Sequence, residues 1–102
     1  MRKGALRLSV YVDESTHPFG TMIMCHMVAD TPEELKAMAE KIGVQLKWFQ
    51  GGASAPHFDI AKSKRALALK AGAVVVDRKA FVEIIKRLRK TWPRGYRGRW
   101  KL

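Results

Sequence analysis

Each of the three histidines in the sequence has an aspartate within four residues of it, and these pairs could do chemistry. His57 and Asp59 are two positions apart, so an extended backbone would place both side chains on one side. A histidine and a carboxylate placed in this way could ligate a divalent metal, or could position an imidazole as a general base. The candidate metal ligands are His26, His57 and Asp59, and the catalytic candidates are those three with Asp13 and Asp30.

The same residues also have structural interpretations, and the sequence leaves both open. Asp30 and Asp59 are good N-cap residues, because a carboxylate accepts hydrogen bonds from the first backbone amides of a helix. His26 lies in an apolar segment, where a histidine needs partners for its ring nitrogens. In the chemical interpretation, Lys64 and Arg65 are near enough in sequence to the second histidine-aspartate pair to face the same pocket and hold a phosphate.

No motif for a bound organic cofactor is present. The chain has no phosphate-binding P-loop, no glycine-rich dinucleotide fingerprint, no zinc-protease pair of histidines and no serine-hydrolase elbow. We therefore expect no cofactor, with a divalent metal as the one exception that the histidines allow.

Charge is the most unusual property of the composition. The 102 residues include 20 lysines and arginines but 9 aspartates and glutamates, for a net charge of +11. Residues 1–60 carry a net charge of −1, and residues 61–102 carry +12. Such asymmetry between the halves of a chain predicts contact with a polyanion, above all DNA or RNA. A nucleotide or an acidic protein is the alternative partner, and no membrane partner is expected.

Two predicted helices and the C-terminal tail carry the excess positive charge. In the tail, aromatic residues alternate with arginines, so that arginines could clamp phosphates while the flat rings stack on unpaired bases. The alternative is that Trp92 and Trp100 dock the tail on the domain and leave the arginines in solvent. The residues predicted to contact nucleic acid or phosphate are Lys62, Lys64, Arg65, Lys86, Arg87, Lys90, Trp92, Arg94, Tyr96, Arg97, Arg99 and Trp100.

Hydrophobic periodicity and capping signals predict an α/β fold. Thr31 before Pro32, and Asp77 before an apolar helical stripe, predict two helix starts, and Asp59 would cap a third helix. Gly43 predicts the end of the first helix. The predicted strands cover 8–13, 22–29, 44–49 (or an extended segment there) and 73–76, with a loop over 14–20, and the predicted helices cover 32–42, 60–71 and 78–90.

These elements predict a small single α/β domain over residues 1–90, with a sheet of about four strands and three helices, followed by a basic aromatic C-terminal tail over 91–102. We expect strand 73–76 to be fully buried. Cys25 is the only cysteine, so no internal disulfide can form, and its apolar neighbours predict a buried thiol. No secretory signal pattern follows the basic N-terminus, so we expect a cytoplasmic protein. The sequence predicts no particular oligomeric state.

Several segments carry a resemblance to a known family, among them VYVD at 10–13, MCHMVADT at 24–31, IGV at 42–44, WFQ at 48–50, HFDI at 57–60, SKRALA at 63–68 and AGAV at 71–74. They resemble the bacterial and phage family described as domain of unknown function 4031, over about residues 8–90. Some relatives are joined to phosphohydrolases of the His-Asp type, so the resemblance implies a role in nucleotide or nucleic-acid metabolism. The sequence departs from the family at Lys36, which is often histidine in relatives, and at Phe58, which is usually tyrosine.

Three functions remain open on this sequence. The first is a small basic intracellular protein that binds nucleic acid or another phosphate-rich partner through its second and third helices and its tail. The second is a nucleotide-processing or metal-dependent phosphoester enzyme, or a nucleotide-binding module, which uses a pocket of His, Asp, Lys and Arg side chains. The third is an adaptor that docks an acidic host or phage protein. The second function requires His26, His57 and Asp59 to share one cavity.

Overall fold

The computed structural model describes residues 9–14, 17–19, 22–50 and 56–92. The tail candidates that lie outside these residues are Arg94, Tyr96, Arg97, Arg99 and Trp100. In chain order, the elements are β1 (Val10–Asp13), β2 (His17–Phe19), β3 (Met22–Ala29), α1 (Pro32–Ile42), a short 3-10 helix (Leu46–Trp48), β4 (Phe58–Ala61), α2 (Lys62–Lys70), β5 (Val74–Val76) and α3 (Arg78–Thr91). The described residues form a mixed α/β fold with three α-helices, as the sequence predicted.

Strand β3 is the centre of the sheet and pairs on both sides. Met27 pairs with Val12 of β1 and with Phe58 of β4, so β1 and β4 lie on opposite sides of β3. Strand β2 pairs with the first residues of β3, on the same side as β1. These pairings are antiparallel, whereas β5 pairs in parallel with β1. The five strand segments therefore occupy four positions across the sheet, in the order β4, β3, β1 and β5.

The helices cover both faces of this sheet. Side chains alternate along β3, so His26 projects to one face and Cys25 to the other. Helix α3 packs on the first face, where the Phe81 ring lies 5.9 Å from the His26 ring. Helices α1 and α2 contact each other and β3, and the Arg65 guanidinium of α2 lies near the Cys25 thiol. Burial raises the pKa of the Cys25 thiol to about 11, which keeps it protonated at neutral pH.

Helix α1 begins and ends where its local signals predicted. Thr31 Oγ1 accepts a hydrogen bond from the backbone N of Glu34 at 3.2 Å, and Pro32 occupies the first turn. The Glu34 carboxylate in turn accepts a hydrogen bond from the backbone N of Ser9 at 3.2 Å, which connects the helix to the chain just before β1. Gly43 ends the helix in the left-handed conformation, with a φ of 81°.

The prediction of a helix over 60–71 is wrong at its start. Residues Phe58–Ala61 form β4, and α2 begins at Lys62. Asp59 therefore lies within a strand and caps no helix. Pairing with β3 decides this, because it buries the two large apolar side chains of β4, Phe58 and Ile60, on one face of the sheet. A cap contributes about 1 kcal/mol, less than the burial of two large side chains.

Three smaller predictions about strands are also wrong. The 14–20 segment, predicted as a loop, contains β2, and the 44–49 segment contains a 3-10 helix where a strand or extended segment was expected. The 73–76 segment forms a strand, but the strand is not fully buried. Val74 is 47% exposed and Val75 39%, because β5 lies at the edge of the sheet. An apolar run of this length does not distinguish a central strand from an edge strand.

Trp92 joins the end of α3 to the core. Its side chain is 6% exposed, and its Nε1 donates a hydrogen bond to the carbonyl oxygen of Ala29 at 3.1 Å. Its ring also stacks on the Phe49 ring, with centroids 6.2 Å apart. The sequence placed Trp92 among the residues that contact nucleic acid, but the protein itself covers this side chain. Docking on the domain, the alternative considered for Trp92, is what the structure shows.

Replacing this tryptophan tests its role in the core. We expect Trp92→Ala to lower the free energy of unfolding by about 3–5 kcal/mol, because it leaves a cavity and an unpaired carbonyl. Trp48→Ala is the matched control, since Trp48 is 60% exposed, and should change it by less than about 0.5 kcal/mol. Urea unfolding followed by circular dichroism measures both. A loss below about 1 kcal/mol for Trp92→Ala would contradict this role.

Candidate functional site

Two strands bring histidines and aspartates to one face of the sheet. His26 of β3 pairs directly with Asp59 of β4, and paired residues project to the same face. His57 precedes Asp59 by two positions in extended backbone, so it projects to that face as well. The rings of His26 and His57 have their centroids 5.5 Å apart. Helix α3 packs over this same face of the sheet.

Asp13, the last residue of β1, holds His26 in position. Asp13 is 4% exposed, and its Oδ1 accepts a hydrogen bond from the backbone N of His26 at 2.9 Å. Its Oδ2 lies 2.6 Å from Nδ1 of the imidazole. An ionised carboxylate only accepts hydrogen bonds, so the proton of a neutral His26 lies on Nδ1. The other ring nitrogen, Nε2, then carries a lone pair and lies 3.7 Å from Asp59 Oδ1.

Within the part of the chain that the structure describes, the carboxylate of Asp59 is hydrogen-bonded at one oxygen and not at the other. Oδ2 accepts a hydrogen bond from Gln50 Nε2 at 2.8 Å. Oδ1 is buried and has no hydrogen-bond partner among the described residues, although it lies 3.2 Å from His57 Nε2. One atom from each of His26, His57 and Asp59 lies within 4.8 Å of the other two. These three side chains could therefore hold a metal ion.

A pocket of about 600 Å³ opens between this face of the sheet and α3. The sheet side contributes Asp13 and His26 to its lining, so the pocket adjoins the histidine cluster. Helix α3 contributes both apolar side chains and cations. The lining residues are Asp13, Glu14, His26, Arg78, Phe81, Val82, Ile85, Lys86 and Arg89.

The sequence predicted only part of this pocket. Lys86 was a predicted phosphate contact, whereas Arg78 and Arg89 were not among the candidates. The missed signal is the spacing along α3, because positions separated by three, four or eleven residues share a face of a helix. The apolar stripe of α3 was predicted as Phe81, Ile84, Ile85 and Leu88, yet Phe81 and Ile85 are only partly buried and line the pocket.

Lys64 and Arg65 do not join the histidine cluster as the sequence suggested. Arg65 donates from Nε and Nη2 to the carbonyl oxygen of Asp13, both at 3.4 Å, from the side of the sheet that α2 covers. The Lys64 ammonium lies against Gly43, where an added Cβ would be 3.1 Å from its Nζ. Neither residue lines the pocket. Arg65 connects α2 to the end of β1, and this structural contact lies too far along the chain for spacing to predict.

Asp30 and Arg87 bind each other and stay apart from the cluster. Arg87 Nη2 donates a short hydrogen bond to Asp30 Oδ1 and a longer one, of 3.4 Å, to the hydroxyl of Tyr11. The Tyr11 hydroxyl donates in turn to Asp30 Oδ2 at 3.1 Å. The hydrogen bond to Tyr11, followed by the nearby Asp30 charge, raises the pKa of Arg87 above its usual range. This network fastens α3 to the sheet, so we assign both residues a structural role.

The remaining described candidates for phosphate contact lie on the surface. Lys62 at the start of α2 and Lys90 near the end of α3 are both exposed. Lys86 is exposed as well, at the pocket, and forms an ion pair with Glu83 at 3.6 Å. Such an exposed pair contributes little free energy, so it does not prevent Lys86 from binding another anion.

The fold and the cluster define a small α/β protein with a histidine and aspartate site beneath a basic helix. A family model described as protein of unknown function (DUF4031) matches residues 10–88, and the chain belongs to this family. No curated protein and no solved structure matches the chain. Among the described residues, no helix is both long and apolar enough to cross a membrane.

The contact between Asp13 and His26 predicts one tautomer. When the His26 ring is neutral, we expect its proton on Nδ1, because that nitrogen donates to the Asp13 carboxylate. Long-range proton–nitrogen correlation spectra of ¹⁵N-labelled protein distinguish the two tautomers. A neutral His26 with its proton on Nε2 would contradict the arrangement and would also leave Nε2 without a lone pair for a metal.

Proposed function

We propose that the protein binds a phosphate-bearing ligand, a nucleotide unit that is either free or part of a nucleic acid, in the pocket beneath α3. The observation that supports this most is the lining of the pocket, which combines Arg78, Lys86 and Arg89 with an apolar wall. Arginine donates paired hydrogen bonds to phosphate oxygens, and lysine adds a positive charge. The cations of α3 would hold the phosphate.

The apolar wall gives the pocket a place for the base or sugar of a nucleotide. Phe81, Val82 and Ile85 line it along α3. Ligand pockets are mostly apolar with a few polar groups that fix orientation, and their volumes run from about 300 to 1,000 Å³. The pocket volume of about 600 Å³ is compatible with one nucleotide unit.

The charge distribution supports a nucleic acid as the source of that unit. Residues 61–102 carry a net charge of +12, and Lys62 and Lys90 are exposed outside the pocket. Contacts between such cations and a phosphate backbone supply affinity that depends little on sequence and falls with salt. We place this role in the cytoplasm, where nucleic acids and nucleotides are available and a buried, reduced thiol such as Cys25 is ordinary.

Two double variants of equal charge test the pocket. Lys86→Ala with Arg89→Ala removes two pocket cations, whereas Lys36→Ala with Lys41→Ala removes two exposed cations from α1. We expect the first pair to weaken binding by roughly tenfold or more, since each charge-assisted hydrogen bond is worth about 1.5–3 kcal/mol. The control pair should stay within about twofold of the unmodified protein, because long-range attraction is largely screened.

Fluorescence anisotropy measures this binding with labelled single-stranded DNA, single-stranded RNA and a fluorescent mononucleotide, all in buffer that contains EDTA. Affinity for the two polymers should fall steeply between about 50 and 200 mM salt. Tight binding of the mononucleotide would identify a free nucleotide as the ligand. Absence of binding to all three probes at low salt would overturn the proposal, as would equal losses in the two double variants.

A further inference from the structure

We propose that Nε2 of His26, Nε2 of His57 and Oδ1 of Asp59 bind one divalent transition-metal ion at the edge of the pocket. The metal site itself is inferred from the geometry of these three side chains alone. Only the step that connects the ion to a phosphate ligand rests on the function proposed above.

The two distances from Asp59 Oδ1 to the imidazoles are close to those around a common ion. Two atoms that bind one ion at about 2.1 Å, with an angle between 90 and 110°, are separated by roughly 3.0–3.4 Å. Asp59 Oδ1 lies 3.2 Å from His57 Nε2 and 3.7 Å from His26 Nε2. The ligating atoms of the two histidines lie within 4.8 Å of each other, so rotation of their side chains would be needed to bring all three atoms to bonding distance.

The Asp59 oxygen supplies an independent reason for a cation. Oδ1 is buried and makes no hydrogen bond among the described residues, while Gln50 binds the other oxygen of the same carboxylate. A buried polar atom without a partner is costly, and most such atoms in proteins have a partner. A divalent ion between Oδ1 and the two imidazoles would provide this oxygen with a partner.

Contacts behind the ligands orient them for metal binding. Metal-binding histidines commonly donate their other ring N–H to a carboxylate, which fixes the ring and raises the basicity of the ligating nitrogen. Asp13 makes this contact with Nδ1 of His26 at 2.6 Å. Gln50 in the same way fixes the Asp59 carboxylate, with its Nε2 2.8 Å from Oδ2. Both supporting residues leave the ligand atoms directed toward one another.

The donor set selects the class of metal. Two imidazoles and one carboxylate suit Zn²⁺, Mn²⁺, Fe²⁺ or Co²⁺, whereas Mg²⁺ and Ca²⁺ prefer oxygen ligands throughout. Three protein ligands leave at least one coordination position for water or for a ligand oxygen. Of the three ligands His26 also lines the pocket, so an ion bound to its Nε2 would lie at the edge of the pocket, beside the proposed phosphate. The ion would therefore coordinate a phosphate oxygen that the cations of α3 also hold.

Metal binding by the untagged full-length protein tests the site, with Zn²⁺ and Co²⁺ as the probes and no nucleotide present. We expect one ion per chain by isothermal titration calorimetry. Asp59→Asn and His57→Ala should each weaken binding at least tenfold. Asp77→Asn is the matched control: it removes a carboxylate that caps α3, and asparagine caps equally well. This control should stay within twofold of the unmodified protein.

The folding of each variant and the coordination of the metal are measured separately from metal affinity. Thermal unfolding of each metal-free variant shows that loss of binding is not loss of the fold, and either variant that folds is sufficient for the test. Bound Co²⁺ should give visible absorption bands that Asp59→Asn changes. Absence of Zn²⁺ and Co²⁺ binding by the unmodified protein, or binding unchanged in both folded variants, would overturn the metal site.

The coupling between the metal ion and the phosphate ligand is tested by a separate measurement. We expect Zn²⁺ to tighten binding of the fluorescent mononucleotide at least fivefold in the unmodified protein and not in Asp59→Asn. An unchanged affinity would overturn the placement of the ion beside the phosphate. Because phosphate binding is first measured in EDTA and metal binding without nucleotide, failure of either proposal is distinguishable from failure of the other.

Discussion

The buried carboxylate of Asp13 is the contact on which the rest of the site depends. A carboxylate that is 4% exposed is stable only when it is paired, and here both oxygens bind His26, one at the backbone and one at the ring. The backbone carbonyl of the same residue accepts two hydrogen bonds from Arg65. One residue therefore joins β1, β3 and α2, and it also orients the imidazole that lies between the pocket and the carboxylate of Asp59.

The parts of the fold that the sequence predicted well are those whose partners lie close together in the chain. Thr31 caps α1 through an amide three residues away, and Asp77 caps α3 through the amide of Ala80 at 2.8 Å. Gly43 ends α1 because its left-handed conformation is costly for other residues. The spacing of His57 and Asp59 similarly places both side chains on one face once the backbone is extended.

The parts that the sequence did not predict depend on contacts between distant residues. Asp59 has the sequence signature of a helix cap, but pairing with β3, more than thirty residues earlier, makes it part of a strand. Arg65 and Arg87 both lie on helices rich in basic residues. Arg65 nevertheless binds a backbone carbonyl, whereas Arg87 binds Asp30. Local spacing carries no information about those partners. The enzyme alternative required His26, His57 and Asp59 to share one cavity. One ligand atom of each lies within 4.8 Å of the other two, but of the three only His26 lines the pocket.

The positive charge of the second half of the chain and the histidine cluster meet at α3, which supplies cations to a pocket that His26 also lines. In our proposal a metal ion occupies the cluster beside these cations. Anomalous diffraction from crystals grown with Zn²⁺, recorded on both sides of the zinc absorption edge, tests it most directly. We predict one peak about 2.0–2.2 Å from His26 Nε2, His57 Nε2 and Asp59 Oδ1. Absence of a peak between these three atoms in a zinc-saturated crystal would contradict the metal site.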